Sequence, residues 1–177
     1  MSTATTPFAG TFAADPVHST FAFKVRYQGV SLFRGTLDDV EATLADGKLA
    51  GTAKVESISI RTPEQFRAHV LSGEFFDAEN HPEIAFTSTS VDLREDGTAV
   101  VEGDLTIKGI TKPVRAEGTY AAPAPDAFGG TRAHLTLEAT VDRTAYDMHW
   151  NAPLPNGGQA LANDVVLELD LALAQQA

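Results

Sequence analysis

The feature that most limits what this chain can fold into is a two-residue alternation of apolar and polar side chains, repeated in segment after segment. It is plainest in AVVEGDLTIKG, where Val101, Gly103, Leu105 and Ile107 fall on one side of an extended chain and Glu102, Asp104, Thr106 and Lys108 on the other. Successive side chains of a strand point to opposite faces, so a period of two predicts a half-buried strand; a helix would need a period near 3.6. The chain then turns over at Gly109, and Val114, Ala116, Gly118 and Tyr120 resume the apolar face. TFAFKVRY does the same with Phe21, Phe23, Val25 and Tyr27. HLTLEATVD does it with Leu135, Leu137, Ala139 and Val141, and DVVLELDLAL closes with Val165, Leu167, Leu169, Leu171 and Leu173.

Turn chemistry separates these runs. Asp46-Gly47 sits between two alternating segments, and Asp-Gly is a strong hairpin signal because both central residues of a tight turn take positive φ. Asp96-Gly97 marks another turn. In HPEIAFTSTSVDL the apolar phase set by Ile84 and Phe86 shifts at Val91 and Leu93, which predicts a bulge. YAAPAPDAFGG and WNAPLPNGGQALAN are rich in Pro and Gly and read as loops, the second long enough to form a rim or lid.

Helical spacing is confined to TPEQFRAHVLSGEFF. Thr62 is placed to cap a helix, with Pro63 at its first position, Gln65 completing a capping box and Gly73 at its end. Phe66, His69 and Val70 then share a stripe. About eight strands with one apolar face each cannot be covered by one short helix. A closed barrel buries every inward face and leaves no edge, and a two-sheet sandwich is the other solution. The long, phase-shifting strands favour a mainly β fold, an eight-stranded antiparallel barrel with one short helical insertion. Residues 1–14 read as an N-terminal extension and 15–177 as the barrel domain.

Small residues recur on the inward faces: Gly51, Ala53, Gly103, Ala116, Gly118 and Ala139. An eight-stranded barrel is just wide enough to be filled by its own side chains or to hold one small ligand, so these positions fit either a tapered solid core or a cavity. A tunnel would be walled by Phe21, Phe23, Val25 and Tyr27, by Ile84 and Phe86, and by Leu105 and Ile107. Phe66, Val70, Phe75, Phe76, Tyr146 and Trp150 would line its entrance. Such walls suit a hydrocarbon chain better than a sugar or a nucleotide.

Charge narrows the partners. With 13 Lys and Arg against 24 Asp and Glu, the net charge is −11, which disfavours nucleic acid and electrostatic attraction to anionic lipid. The absence of cysteine excludes disulfides, thiolate metal sites and thiol catalysis. The first residues show no signal-peptide pattern and no segment has the roughly 18 apolar residues of a membrane span, so the expectation is a cytoplasmic protein without stable membrane insertion. His18, His69, His81, His134 and His149 are scattered without metal-ligand spacing, so no metal and no required cofactor are expected. His69, with neighbouring Arg67, reads either as a semi-buried structural group or as a contact for a polar headgroup at the rim. Arg61 lies where a strand hands over to the helix, and His18 at a strand start.

Four segments, DPVHSTFAFKVRYQGVS, SISIRTPEQFRAHVLSGEFFDAENHPEIAFTSTSV, VEGDLTIKGITKPV and VDRTAYDMHWNAPLPNGGQALANDVVLEL, together resemble the YceI-like polyisoprenoid-binding family, in the family's order, from about Asp15 to Leu169. The resemblance implies a bacterial, lipocalin-like barrel whose tunnel holds the isoprenoid tail of a quinone or polyprenyl phosphate, with no enzymatic activity. It departs from the family pattern at Tyr27, Arg67 and Asp147. The function expected is therefore binding, sequestration or carriage of an isoprenoid lipid or quinone, with His18, Arg61, Arg67 and His69 as headgroup contacts and a homodimer allowed. The alternative is a small hydrolase or isomerase using His69 as general base on a hydrophobic substrate.

Overall fold

The structure, a computed structural model, describes residues 8–177. Ten antiparallel strands form one sheet: β1 Thr11–Ala14, β2 Thr20–Tyr27, β3 Ser31–Leu37, β4 Val40–Ala45, β5 Lys48–Lys54, β6 Glu83–Leu93, β7 Thr98–Ile107, β8 Ile110–Pro125, β9 Thr131–Asp142 and β10 Leu161–Gln175. A helix, α1 Glu64–Leu71, and two 3₁₀ turns, Val55–Ser57 and Arg143–Tyr146, interrupt them. β1 and β4 to β10 make a closed ring of eight staves, in the order β1-β4-β5-β6-β7-β8-β9-β10 and back to β1.

β10 organises the closure. One side pairs with β9 along most of its length. The other side is shared: Leu161 to Asp170 pair with β2, and Leu173 to Gln175 with β1. The β2–β3 hairpin therefore walls one end of the barrel. The free end of β3 is tied to the segment after the first 3₁₀ turn by a Leu37–Ile58 bridge and by Ser59, whose N–H donates to the Thr36 carbonyl at 2.8 Å and whose Oγ accepts from the Thr36 N–H at 2.9 Å.

The alternation reads through to burial. In β7, Val101, Gly103, Leu105 and Ile107 are buried, whereas Glu102 and Asp104 are exposed. The bulge falls between Ser88 and Ser90 of β6, and it moves Val91 and Leu93 into the inward phase. Asp46-Gly47 and Lys108-Gly109 turn with φ of 51° and 74°, and 54° and 75°, the left-handed pairs that a two-residue hairpin requires.

Four local expectations change. Residues 11–14 are not an extension but a stave, held because Phe12 is 1% exposed and stacks on Phe8 at 5.2 Å; residues 1–7 of the expected extension lie outside the described residues. Thr62 does not cap the helix, because the chain is still extended at Pro63, which precedes Glu64 directly. The helix ends at Ser72 rather than at Gly73, with the Ser72 hydroxyl donating to the His69 carbonyl. YAAPAP is not loop: β8 runs on to Pro125, and Pro123 is accommodated at an irregularity between Ala121 and Ala124 where the ladder skips.

The interior has two tiers. At the end where β1 meets β10, Phe8, Phe12, Leu44, Leu49, Leu135, Leu171 and Leu173 pack solidly. At the other end, Leu37, Val55, Ile58, Val70, Ile107 and Tyr146 form a second cluster beneath α1 and the second 3₁₀ turn. That second tier is hollow.

Candidate functional site

A cavity of about 510 Å³ occupies the β2–β3 end of the barrel. Its walls come from the inward sides of strands already placed by their alternation: Phe21, Phe23, Val25 and Tyr27 of β2, Ile84 of β6, Ile107 of β7, Val141 of β9 and Val165 and Leu167 of β10. β3 adds Phe33 and Leu37. The cover is built from Phe66, His69 and Val70 of α1, Phe75 and Phe76 after it, and Tyr146, Met148 and Trp150 from the second 3₁₀ turn and the loop beyond. A second cavity of about 100 Å³ lies between this space and the packed tier, sharing Phe21, Ile84 and Leu167 with it.

Of the tunnel residues read from the sequence, Phe21, Phe23, Val25, Tyr27, Phe66, Val70, Phe75, Phe76, Ile84, Ile107, Tyr146 and Trp150 all face the large cavity. Phe86 and Leu105 face the small one. The small inward residues play two parts. Ala53, Ala116 and Ala139 line the small cavity and leave room; Gly51 lines it too, but a Cβ there would meet the Glu41 carbonyl oxygen at 2.8 Å. At Gly103 a Cβ would meet the Thr87 carbonyl oxygen at 2.5 Å and the Phe86 ring, which lies across it, at 2.6 Å. A Cβ at Gly118 would run into the backbone of β9.

The rim residues separate. His69 faces the cavity, its ring edge-on to Phe75 and Trp150, each at 5.1 Å between centroids, with Nε2 on Glu74 Oε2 at 2.5 Å. Arg67 turns the other way. It donates to the carbonyls of Glu56 (2.7 Å), Ile58 (3.2 Å) and Ile60 (3.0 Å), stapling α1 to the turn that closes β3. Arg61 is exposed beside Asp38, at 3.8 Å. His18 holds Asp15 at 2.7 Å, at the far end of β2 from Tyr27 and outside the lining of either cavity.

Two polar groups in the lining carry the site's chemistry, and one of them, Arg143, has no periodic signal in the sequence. Arg143 is 4% exposed and donates to three carbonyls, Ala162 (2.8 Å), Met148 (2.7 Å) and Leu161 (3.2 Å). Burial pulls its pKa below the ordinary guanidinium value. Asp142 does not pair with it; that carboxylate accepts from the N–H and hydroxyl of Thr144 instead. Tyr146 is 2% exposed, and its hydroxyl has no hydrogen-bond partner. Burial raises its pKa, so the hydroxyl stays protonated and available as a donor. A buried hydroxyl without a partner is costly, of order 1–3 kcal/mol, and marks a position where something else completes the bond.

Lys108 fixes the cover. From the β7–β8 turn its Nζ reaches the carbonyls of Gly73 (2.5 Å) and Asp147 (2.7 Å), joining the segment after α1 to the second 3₁₀ turn, with the side chain 7% exposed. Asp147 itself is left-handed, with φ of 60°, a position that Gly or Asp tolerates. Among the described residues no group of three or more His, Cys, Asp or Glu side chains is placed to hold a metal, and no helix is long and apolar enough to cross a membrane.

A closed antiparallel barrel, lipocalin-like in build, with a covered apolar cavity at one end is the class these features define. The YceI-like domain matches residues 12–173, and the chain belongs to that family. A UPF0312 protein of Vibrio campbellii is 34% identical over 155 residues, covering 80% of this chain and 81% of its own length. One from Pseudomonas syringae pv. tomato is 29% identical over 157 residues, covering 85% and 80%. In fold the chain is similar to Burkholderia cenocepacia BcnA, with a TM-score of 0.72 at 18% identity over 92% of this chain and 99% of that one. It is also similar to a polyisoprenoid binding domain from Saccharophagus degradans, with a TM-score of 0.66 at 12% identity over 93% and 98%.

Proposed function

We propose that this protein binds and carries a lipid with an isoprenoid tail, of the prenyl quinone or prenyl phosphate type, in the 510 Å³ cavity. The observation that carries the reading is the character of that cavity: its walls are aromatic and aliphatic, with polar side-chain groups confined to His69, Arg143, the indole N–H of Trp150 and the hydroxyls of Tyr27 and Tyr146. Its volume falls within the roughly 300–1,000 Å³ of small-molecule sites. Burial contributes about 0.8 kcal/mol per CH₂, so a five-carbon unit contributes at most about 4 kcal/mol, and two or three units reach the roughly 8 kcal/mol of micromolar affinity. The chain's similarity in fold to the polyisoprenoid binding domain from Saccharophagus degradans supports the same ligand class.

Tyr146 gives the ligand an orientation. Its hydroxyl completes its hydrogen bond on a carbonyl or phosphoryl oxygen of the lipid, with the Arg143 guanidinium supplying positive potential beside it. Catalysis is not part of the proposal. The described lining holds no Ser, Thr, Cys, Asp, Glu or Lys, and His69 is occupied by Glu74 between two aromatic rings.

Trp150 is the single tryptophan and lines the cavity, so its fluorescence reports on occupancy. Titration with a prenyl quinone and a prenyl phosphate should change that emission saturably, and organic extraction of the purified protein followed by mass spectrometry should recover a prenyl lipid. Emission unchanged by both lipids, in protein from which extraction also recovers none, would sink the reading.

A further inference from the structure

We propose that the β2–β3 hairpin and the 152–160 loop form a docking surface for an anionic lipid bilayer, through which the cavity exchanges its ligand. The inference rests on the lipid-carrier reading for its purpose, but on separate observations for its existence. Net charge argues against it, yet the distribution of charge does not. The chain has 24 Asp and Glu, and none lies in residues 16–37, its longest acid-free stretch. The next longest is residues 148–163. The fold brings the two together: the Gln28 N–H donates to the Ala160 carbonyl at 2.7 Å, and Gly29 lies beside the Leu154 side chain.

The same place is apolar and exposed. Val30, at the hairpin tip, is 85% exposed and Leu32 is 47%. Tyr27 and Phe66 are both exposed and both line the cavity, so apolar surface borders the mouth as well as the hairpin tip. On the outer face of the hairpin, Arg26 stands opposite Leu32 and Lys24 opposite Arg34. Like charges directly opposite destabilise a strand pair, so Lys24 and Arg34 work against the hairpin that carries them. Glu168 relieves Lys24 at 2.7 Å; among the described residues Arg26 and Arg34 form no ion pair. Cations kept beside exposed aliphatics on a strongly acidic protein match an anionic interface, into which the aliphatics insert while the arginines meet headgroups. Two acids border the patch, Glu168 on Lys24 and Asp164 next to Val165, the partner of Val25 beside Arg26; charges more than about 8 Å away are screened at physiological salt.

The test is flotation of the full-length protein with vesicles of phosphatidylcholine alone and of equal phosphatidylcholine and phosphatidylglycerol. The expected result is binding to the anionic vesicles, weakened about thirty-fold in Arg26→Gln/Arg34→Gln, since each arginine near such a surface contributes about a factor of five. Val30→Asp should weaken it as well. Neither variant alters a residue that lines the cavity, so Trp150 titration with a soluble short-chain prenyl probe should be unchanged in both. Absence of binding, binding equal on both vesicle types, or binding unaffected by these substitutions overturns the proposal. So does sedimentation showing that Val30 and Leu32 are instead covered in a homodimer that Val30→Asp dissociates. Vesicle binding without any prenyl-probe response would leave the surface standing and remove the carrier reading, so the two failures are distinct.

Discussion

The ring of Phe23 lies across Gly35, its partner on the neighbouring strand, so closely that a Cβ at 35 would sit 2.5 Å from the ring's Cζ and 2.8 Å from Cε1. A large residue can lie flat on the cavity wall because a glycine faces it. Gly35→Ala pushes that ring off the wall into the cavity, at a strain of about 1–3 kcal/mol. The protein should keep its β-sheet circular dichroism but bind prenyl quinone about ten-fold more weakly, and Phe23→Leu added to Gly35→Ala should restore affinity. Unchanged affinity in the single variant would show that the ring does not border the bound ligand.

Tyr146→Phe should act in opposite directions on the empty and the loaded protein. Removing a buried hydroxyl that has no partner leaves the ligand-free barrel as stable or more stable, by up to about 1–2 kcal/mol. Affinity for a lipid with an oxygen-bearing head should fall about five- to ten-fold, while a prenyl hydrocarbon lacking that head should bind equally well to both proteins. Thermal melts with and without each ligand measure all of these terms. Equal loss for both ligands would mean that the hydroxyl contacts no headgroup.

Lys108→Met keeps the stem and removes the ammonium that holds Gly73 and Asp147 together. Two carbonyls lose a charged donor in a mostly buried place, a cost of about 1.5–3 kcal/mol. The loss should concentrate in the cover. Amide exchange should rise in residues 72–78 and 144–150 and stay unchanged in β8 and β9, and lipid should dissociate faster. Uniform destabilisation of the whole barrel would contradict the local role.

Asp15 supplies the pH dependence. Hydrogen bonds from Arg132 (2.9 Å) and His18 hold its carboxyl well below the ordinary 3.8, and Asp126 shares the same arginine. A carboxylate with a depressed folded value stabilises fully above its unfolded value and loses that contribution as pH falls toward the folded one. The melting temperature of the wild type should therefore exceed that of Asp15→Asn by a constant amount above pH about 5, with the gap narrowing progressively below pH about 4. A gap that widens on acidification would refute the assignment.

How much of this was legible depends on the kind of signal each residue emits. Phe21, Phe23, Val25 and Tyr27 were readable as one wall because a strand's period of two is local and survives any topology. Val141 and Val165 sit on faces already phased, and Phe33 follows from the alternation of Phe33, Gly35 and Leu37. β1 was not legible: four residues are too few to show a period, and Phe12 is recognisable as core only once β10 and β4 flank it. Arg67 was misplaced for a related reason. Its neighbour His69 does face the cavity, but two residues along a helix are about 200° apart, which sends Arg67 to the carbonyls of Glu56, Ile58 and Ile60. Tyr146 was read as lining the entrance, whereas Arg143 beside it belongs to a 3₁₀ turn whose geometry only the assembled barrel fixes. Whether the small inward residues made space was equally undecided in the sequence, since Ala116 lines a cavity while Gly103 is covered by Phe86.

The division of one side of β10 between β2 and β1 has a mechanical consequence. The staves that make the complete circle enclose the solid tier, while the hollow tier is walled on one flank by a hairpin anchored to β10 and, through Leu37, to Ile58. Swinging that flap outward breaks a short seam instead of the hoop. Parting that seam would bare Leu37 and Ile58, 1% and 0% exposed, while leaving the pairing of the eight-stave hoop and its packed end intact.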